Sequence, residues 1–313
     1  MLFPTIFRES NDWNMDLDAA YIEPLIDDWV EQLQQTVKNE RQEQIVNAAN
    51  FAIPFIAIPA STVNAAFKIA EYLELESNVK YMAVQLYDTY IWKQFWELYK
   101  TEISNENNFS EMSWLCKVST KSSKQTKLSL MSCFQLACKM DSHSGVLRIS
   151  QILNILHLID KEAVYTPSMI SSSEIRVFKT VGFKMPLYTP LHCIEILLAA
   201  TGLGENLNMI NISTDLLDLA YLQHDRLYMQ FYLHYTDKDN LHMEHRAKQM
   251  ISLKSNLLFL SAAIVYCTTF FLCLDTNVSE EQLLITKLAE LSSTTNKDIS
   301  NMANTLLLIA TQE

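Results

Sequence analysis

The chain has 313 residues, 49% of them hydrophobic, so it can bury a core in each of two ordinary domains and is not a small stapled fold. It holds only four glycines and its clearest apolar patterning has a helical period, which leaves few of the turns a sheet needs and points to an all-α protein. A formal charge of −12 opposes tight direct binding to nucleic acid, because the one short basic cluster (Lys117, Lys121, Lys124, Lys127) offers little to a phosphate backbone.

The opening MLFPTIFRESNDW lacks the charged start and long apolar run of a secretion signal. The six cysteines (Cys116, Cys133, Cys138, Cys193, Cys267, Cys273) are scattered through mostly apolar stretches without CxxC spacing. They read as core thiols of a reduced protein, in the cytosol or nucleus.

Residues 22–45 form a polar amphipathic helix with Trp29 and Leu33 on a narrow apolar side, suited to packing on a body. STVNAAFKIAEYL from Ser61 places Val63, Ala66, Phe67 and Ala70 on one face. Ser77 can cap the next helix, which carries Val79, Met82, Ala83, Leu86 and Tyr90 at helical spacing.

Residues 101–127, rich in Ser, Thr, Asn and Lys, read as an inserted, solvated loop. Helices follow at 128–140, 149–161 and from Pro167, where Thr166 caps and Pro167 supplies a first-turn residue whose missing N–H costs nothing. The same Thr–Pro device recurs at Thr189 and Pro190, and Gly202 and Gly204 mark a helix end and a domain boundary.

The C-terminal third repeats the pattern more loosely, with a capping box expected from Ser279 to Gln282. Residues 256–274 carry no charge and approach the length of a membrane span, but their place among amphipathic helices suits the buried centre of a bundle.

Three chemical patterns fall short. Asp12 to Glu23 spaces oxygen side chains like a calcium loop, yet Leu17 stands where the sharp turn needs glycine. HMEH at His242 to His245, with His234 near in sequence, lacks a third ligand in a recognisable motif. No Ser/His/Asp spacing, phosphate-binding glycine loop or paired carboxylate motif is present, so neither catalytic residues, nor a metal, nor a cofactor is expected.

VNAAFKIAEYLELESNVKYMAVQLYDTYI resembles, without a gap, the first two helices of a cyclin box, including Ala83, Val84 and the later Asp88. LACK at 136–139 resembles the end of the third cyclin helix, and FKTVGFKMPLYTPLH is similar to the segment leading into the sixth. Order and spacing match over residues 60–200 apart from the inserted loop. The polar N-terminal helix, the long loop before LSLMSCFQLACK and the segment LLDLAYLQH at 216–224 resemble a branch of the family that acts in meiotic crossing-over.

The resemblance implies two tandem cyclin-like helical bundles preceded by an N-terminal helix: an extension over 1–50, a cyclin box over 51–200 and a divergent second bundle over 201–313. It implies a non-enzymatic nuclear adaptor that promotes crossover maturation in meiotic recombination. Its partners would be a cyclin-dependent kinase, a crossover ubiquitin or SUMO ligase and mismatch-repair-like recombination complexes, with no direct nucleic acid and no membrane. The alternative within the family is a general activating subunit of a cyclin-dependent kinase; a DNA-bound transcription-factor-like cyclin fold is opposed by the acidic charge.

By resemblance, Lys139 and Glu174 occupy the positions with which kinase-binding cyclins grip the kinase's regulatory helix. An ammonium and a carboxylate on neighbouring rigid helices can bond a partner's main chain while neutralising each other. Helix dipoles offer a simpler account, with Lys139 near a C-terminus and Glu174 near an N-terminus. The arginine-containing stretch that opens many cyclin boxes aligns with IPAST at 58–62, where Pro59 replaces arginine and Ser61 and Thr62 replace apolar residues. The docking groove for Arg-x-Leu substrates is therefore expected to be absent or altered.

Overall fold

The fold was obtained as a computed structural model and describes residues 25–39, 58–103, 123–141, 145–236, 253, 256–272 and 278–312. Among the described residues every regular element is an α-helix, which agrees with the all-α expectation and with a cyclin-like fold. The chain divides into two compact units, Ile56–Thr189 and Met1–Phe55 with Pro190–Glu313. The calcium-like loop at 12–23, the His242 to His245 pair, Lys117, Lys121, Cys116 and Cys273 lie outside the described residues.

In the first unit, α2 (Ala60–Tyr72) buries Val63, Ala66, Ile69 and Ala70 at helical spacing against α3 (Ser77–Ile103). α4 (Ser123–Met140) is the central helix, packed on α3, α5 (Ile149–Ile159) and α6 (Pro167–Thr180). Every residue of α4 from Leu128 to Cys138 is buried, so its small serines and cysteines meet neighbours on all sides. α3 runs three residues into the segment expected as a loop, and α4 begins at Ser123 rather than Leu128. Lys124, Gln125 and Lys127 are good helix formers, and Lys127 is held by an ion pair to Asp160 at 2.9 Å, so this part of the polar run is helical.

α6 has well-defined ends. Thr166 caps it by accepting from the Met169 N–H at 3.3 Å, with Pro167 in the first turn as expected. At the other end the Gly182 N–H bonds the Lys179 carbonyl and the Phe183 N–H bonds the Phe178 carbonyl, each at 2.9 Å. That is a Schellman closure, and Gly182 supplies its left-handed residue at φ +77°. The Phe178 and Phe183 rings complete it edge to face, 5.2 Å apart.

In the second unit, α10 (Leu257–Phe271) is the buried centre, packed on α7 (Pro190–Ala200), α8 (Leu207–Leu222), α11 (Val278–Ser292) and α12 (Asn296–Thr311). Asn256 caps α10, its side-chain oxygen accepting from Leu258 and Phe259 while its amide donates to the Ser292 carbonyl. No helix among the described residues is long and apolar enough to cross a membrane. α9 (His224–Thr236) packs on α8 and α12, and α1 (residues 25–39) joins this unit, its Gln34 amide donating to the Leu291 carbonyl at 2.8 Å. In α1, Val30, Leu33 and Val37 are buried and Trp29 is half-buried.

Three details differ from the sequence reading. α7 groups with the second unit, so the division falls after Thr189 and not at Gly202 and Gly204. α7 buries Leu191, Cys193, Ile194, Leu197 and Leu198 and packs on α8 and α10, while Gly202, at φ +74°, only closes its end. Ser279 lies inside the first turn of α11, which begins at Val278, rather than at a cap. Ser77 is likewise the first residue of α3.

Candidate partner-binding site

Lys139 is where the central helix of the first unit comes to the surface. After eleven consecutive buried positions, 128–138, the next two, Lys139 and Met140, are exposed. The ammonium of Lys139 reaches Glu174 Oε1 on α6, across helices 35 positions apart in sequence. The Lys139 side chain is 44% exposed and that of Glu174 16%, so the pair lies on the surface with its carboxylate half sheltered.

The sheltering follows from the sequence of α6. Ile170, Ser173 and Val177 face inward, and Glu174 borders that stripe, while the next residue, Ile175, faces solvent. Ser173 and Ser132 are both buried and bonded at 2.9 Å, which lets α4 and α6 approach closely below the ion pair. Glu174 is the eighth of fourteen residues in α6, too far from the N-terminus for the helix dipole to account for it. Lys139 does stand in the last turn of α4.

The pair keeps chemical capacity. An ammonium has three donors and a carboxylate about four acceptor sites, and their mutual bond uses one of each. An extended partner backbone could take the others. The exposed side chains of Met140 and Ile175, adjacent in sequence to the pair, add apolar surface of the kind found at interface cores.

Neighbouring loops are tied down. Lys127 and the Tyr165 hydroxyl both bond Asp160 Oδ2, at 2.9 and 3.3 Å, fixing the connection from α5 to α6. The Lys127 hydrogen bond holds the Asp160 carboxyl below the usual carboxylate range, and burial and the Asp160 charge push the Tyr165 hydroxyl up to about 12. Lys93 donates to the Val181 carbonyl at 2.8 Å, joining α3 to the end of α6. Asp88 accepts the Ile58 N–H at 3.1 Å, which anchors the entry to α2. Nothing in the local spacing announces these long-range bonds, although polar residues inside apolar helices (Ser132, Asp88, Lys93) were available as a signal.

Cys133, Cys138, Cys193 and Cys267 are buried and form no disulfide, and burial pushes the Cys138 thiol up to about 11 and the Cys267 thiol up to about 12. Among the described residues no three potential metal-ligating side chains gather. Within IPAST, Ile58 is buried, Pro59 caps α2 without a side-chain bond and is exposed, and so is Ser61, while Thr62 is half-buried.

The chain is 26% identical over 237 residues to the human "Cyclin N-terminal domain-containing protein 1", a match covering 74% of this chain and 70% of that protein. It is 25% identical over 209 residues to the mouse protein of the same name, covering 65% of this chain and 62% of that protein. The chain is similar to cyclin-family proteins. No protein-family profile matches it, and no solved structure does. LLDLAYLQH, the segment that singled out a branch of the family, ends α8 with Leu216, Leu217, Ala220 and Tyr221 buried. The buried His224 ring has its Nδ1 2.9 Å from the Tyr221 carbonyl, so this segment is core and helix junction rather than an open surface.

Proposed function

We propose that this chain is a non-enzymatic, cyclin-like adaptor that promotes crossover maturation in meiotic homologous recombination. It works in the nucleus by recruiting a cyclin-dependent kinase together with a crossover ubiquitin or SUMO ligase and mismatch-repair-like recombination complexes. The observation that carries the kinase part is the Lys139–Glu174 pair, held at the surface by two helices packed on each other. The similarity to proteins named for a cyclin N-terminal domain supports the regulatory class. The meiotic assignment rests on the resemblance of LSLMSCFQLACK and LLDLAYLQH to the crossover branch.

Two experiments test the two parts. Co-purification with cyclin-dependent kinases should capture a kinase with the wild type and release it with Lys139→Glu or Glu174→Lys, in variants whose circular dichroism is native. Retention by both reversals would remove the pair from the interface. In meiotic nuclei a tagged chain should gather in foci at crossover-designated sites, and its absence from them would overturn the meiotic role whatever the kinase result.

A further inference from the structure

Two of the seven prolines in the chain follow a threonine, and both stand in the same tripeptide, Tyr-Thr-Pro, at 165–167 and 188–190. The structure separates these two identical stretches completely. Thr189 is fully buried and its hydroxyl donates to Asn78 Oδ1 at 3.0 Å. Thr166 is exposed, as are Pro167 and Ser168 after it and Val164 shortly before it. Its hydroxyl oxygen accepts from the Met169 N–H, a role that leaves its own O–H proton uncommitted by that bond.

We propose that Thr166 is the phosphoacceptor of a proline-directed protein kinase, and that Thr189 cannot serve despite its identical flanks. A kinase that selects proline after the acceptor needs the threonine in extended backbone with its hydroxyl reachable. Thr166 meets both conditions, at φ −118° and ψ 156°. The following residues belong to the first turn of α6, the turn with fewest internal bonds, which must open for the kinase to hold them. The stretch before it stays in place, because Tyr165 is buried with its hydroxyl on Asp160.

The transfer uses Mg-ATP. The Thr166 oxygen attacks the γ-phosphorus and a P–O bond forms; the bond from that phosphorus to the bridging oxygen breaks and ADP leaves. The hydroxyl proton passes to the kinase's catalytic carboxylate. When α6 recloses, the phosphate stands where the neutral cap stood, beside the outward N–H groups of Ser168 and Met169 and the positive end of the helix. The modification therefore strengthens α6, the helix that carries Glu174, rather than melting it.

The test treats the purified full chain with an already active proline-directed kinase of the mitogen-activated class, and separately with one of the cyclin-dependent class in complex with its own cyclin, each with Mg-ATP. Neither reaction depends on this chain binding or activating a kinase. Mass spectrometry should place one phosphate on Thr166 and none on Thr189. Thr166→Val should abolish incorporation while keeping a native circular dichroism spectrum, and Thr166→Ser should retain it. The phosphorylated chain should melt about 2–4 °C higher than the unmodified one. Phosphate on Thr189, or none on Thr166 from either kinase, overturns the assignment, and a lower melting temperature overturns the helix-strengthening role.

Discussion

The buried hydroxyls of Ser132 and Ser173 are hydrogen-bonded to each other at 2.9 Å, and this contact sets how closely α4 and α6 approach. Lys139 lies seven residues beyond Ser132 on the same side of α4, and Glu174 directly follows Ser173. The spacing of the surface pair is thus fixed from inside the core. Ser132→Ala removes the hydroxyl's bonds to Ser173 and to the Leu128 carbonyl and should cost about 1–2 kcal/mol in urea denaturation. Ser132→Leu forces a branched side chain between the helices and should cost about 1–3 kcal/mol more. It should also erase the Lys139–Glu174 coupling in a double-mutant cycle. A leucine variant as stable as the alanine one would show that the two helices do not depend on this contact.

The ion pair itself contributes little to stability. Lys139 is 44% exposed, and an ion pair in that setting is worth about 0–1 kcal/mol. Lys139→Glu or Glu174→Lys alone sets like charges together and should lower the unfolding free energy by about 1 kcal/mol or less, an effect that shrinks in high salt. The double reversal should restore most of the loss. Denaturation curves at low and high salt check this, and a single reversal that unfolds the protein would contradict a surface role for the pair.

Gly182 closes α6 at φ +77°, where an added Cβ is strained whatever the space. Gly182→Ala should destabilise the chain by about 1–2 kcal/mol. Gly145 is the control, since a Cβ there would meet nothing within 4 Å, and Gly145→Ala should change stability by no more than about 0.5 kcal/mol. Lys93→Met, which removes the bond to the Val181 carbonyl at the same helix end, should cost about 1 kcal/mol. Thermal melts should show the largest loss for Gly182→Ala, a smaller one for Lys93→Met and the smallest for Gly145→Ala, and equal effects at the two glycines would contradict the left-handed closure.

What was legible in the sequence was whatever the local chain dictates. Thr166 with Pro167 announces the start of α6, and the uncharged run from Asn256 announces a helix buried on every side. Lys139 and Glu174 could be paired from resemblance alone, because no local pattern links positions 35 apart. The early start of α4 is hidden in the sequence because the segment's Ser, Thr and Lys content is that of a solvent-exposed loop. Its last lysine is fixed by Asp160, 33 residues later. The place of α7 is hidden for the same kind of reason. Gly202 marks a helix end plainly, but which unit a helix joins depends on distant faces, here those of α8 and α10.

Glu195 gives α7 a pH dependence that its apolar sequence would not suggest. Burial raises its carboxyl from 4.5 to about 7. The folded protein therefore keeps a proton that the unfolded chain gives up, so the contribution of this group to stability is complete below its unfolded pKa and is lost as pH rises through about 7. Glu195→Gln keeps the shape and removes the titration. The variant should match the wild type near pH 4 and exceed its stability at about pH 8 by about 1–3 kcal/mol. Asp160 acts in the opposite sense, since Lys127 holds its carboxyl low and its contribution fades only in acid. Urea denaturation of Glu195→Gln and wild type across about pH 4 to pH 8 separates the two, because only the Glu195 effect appears as a widening gap toward the basic end. Parallel curves across that range would mean that Glu195 is ionised in the folded state at an ordinary pKa.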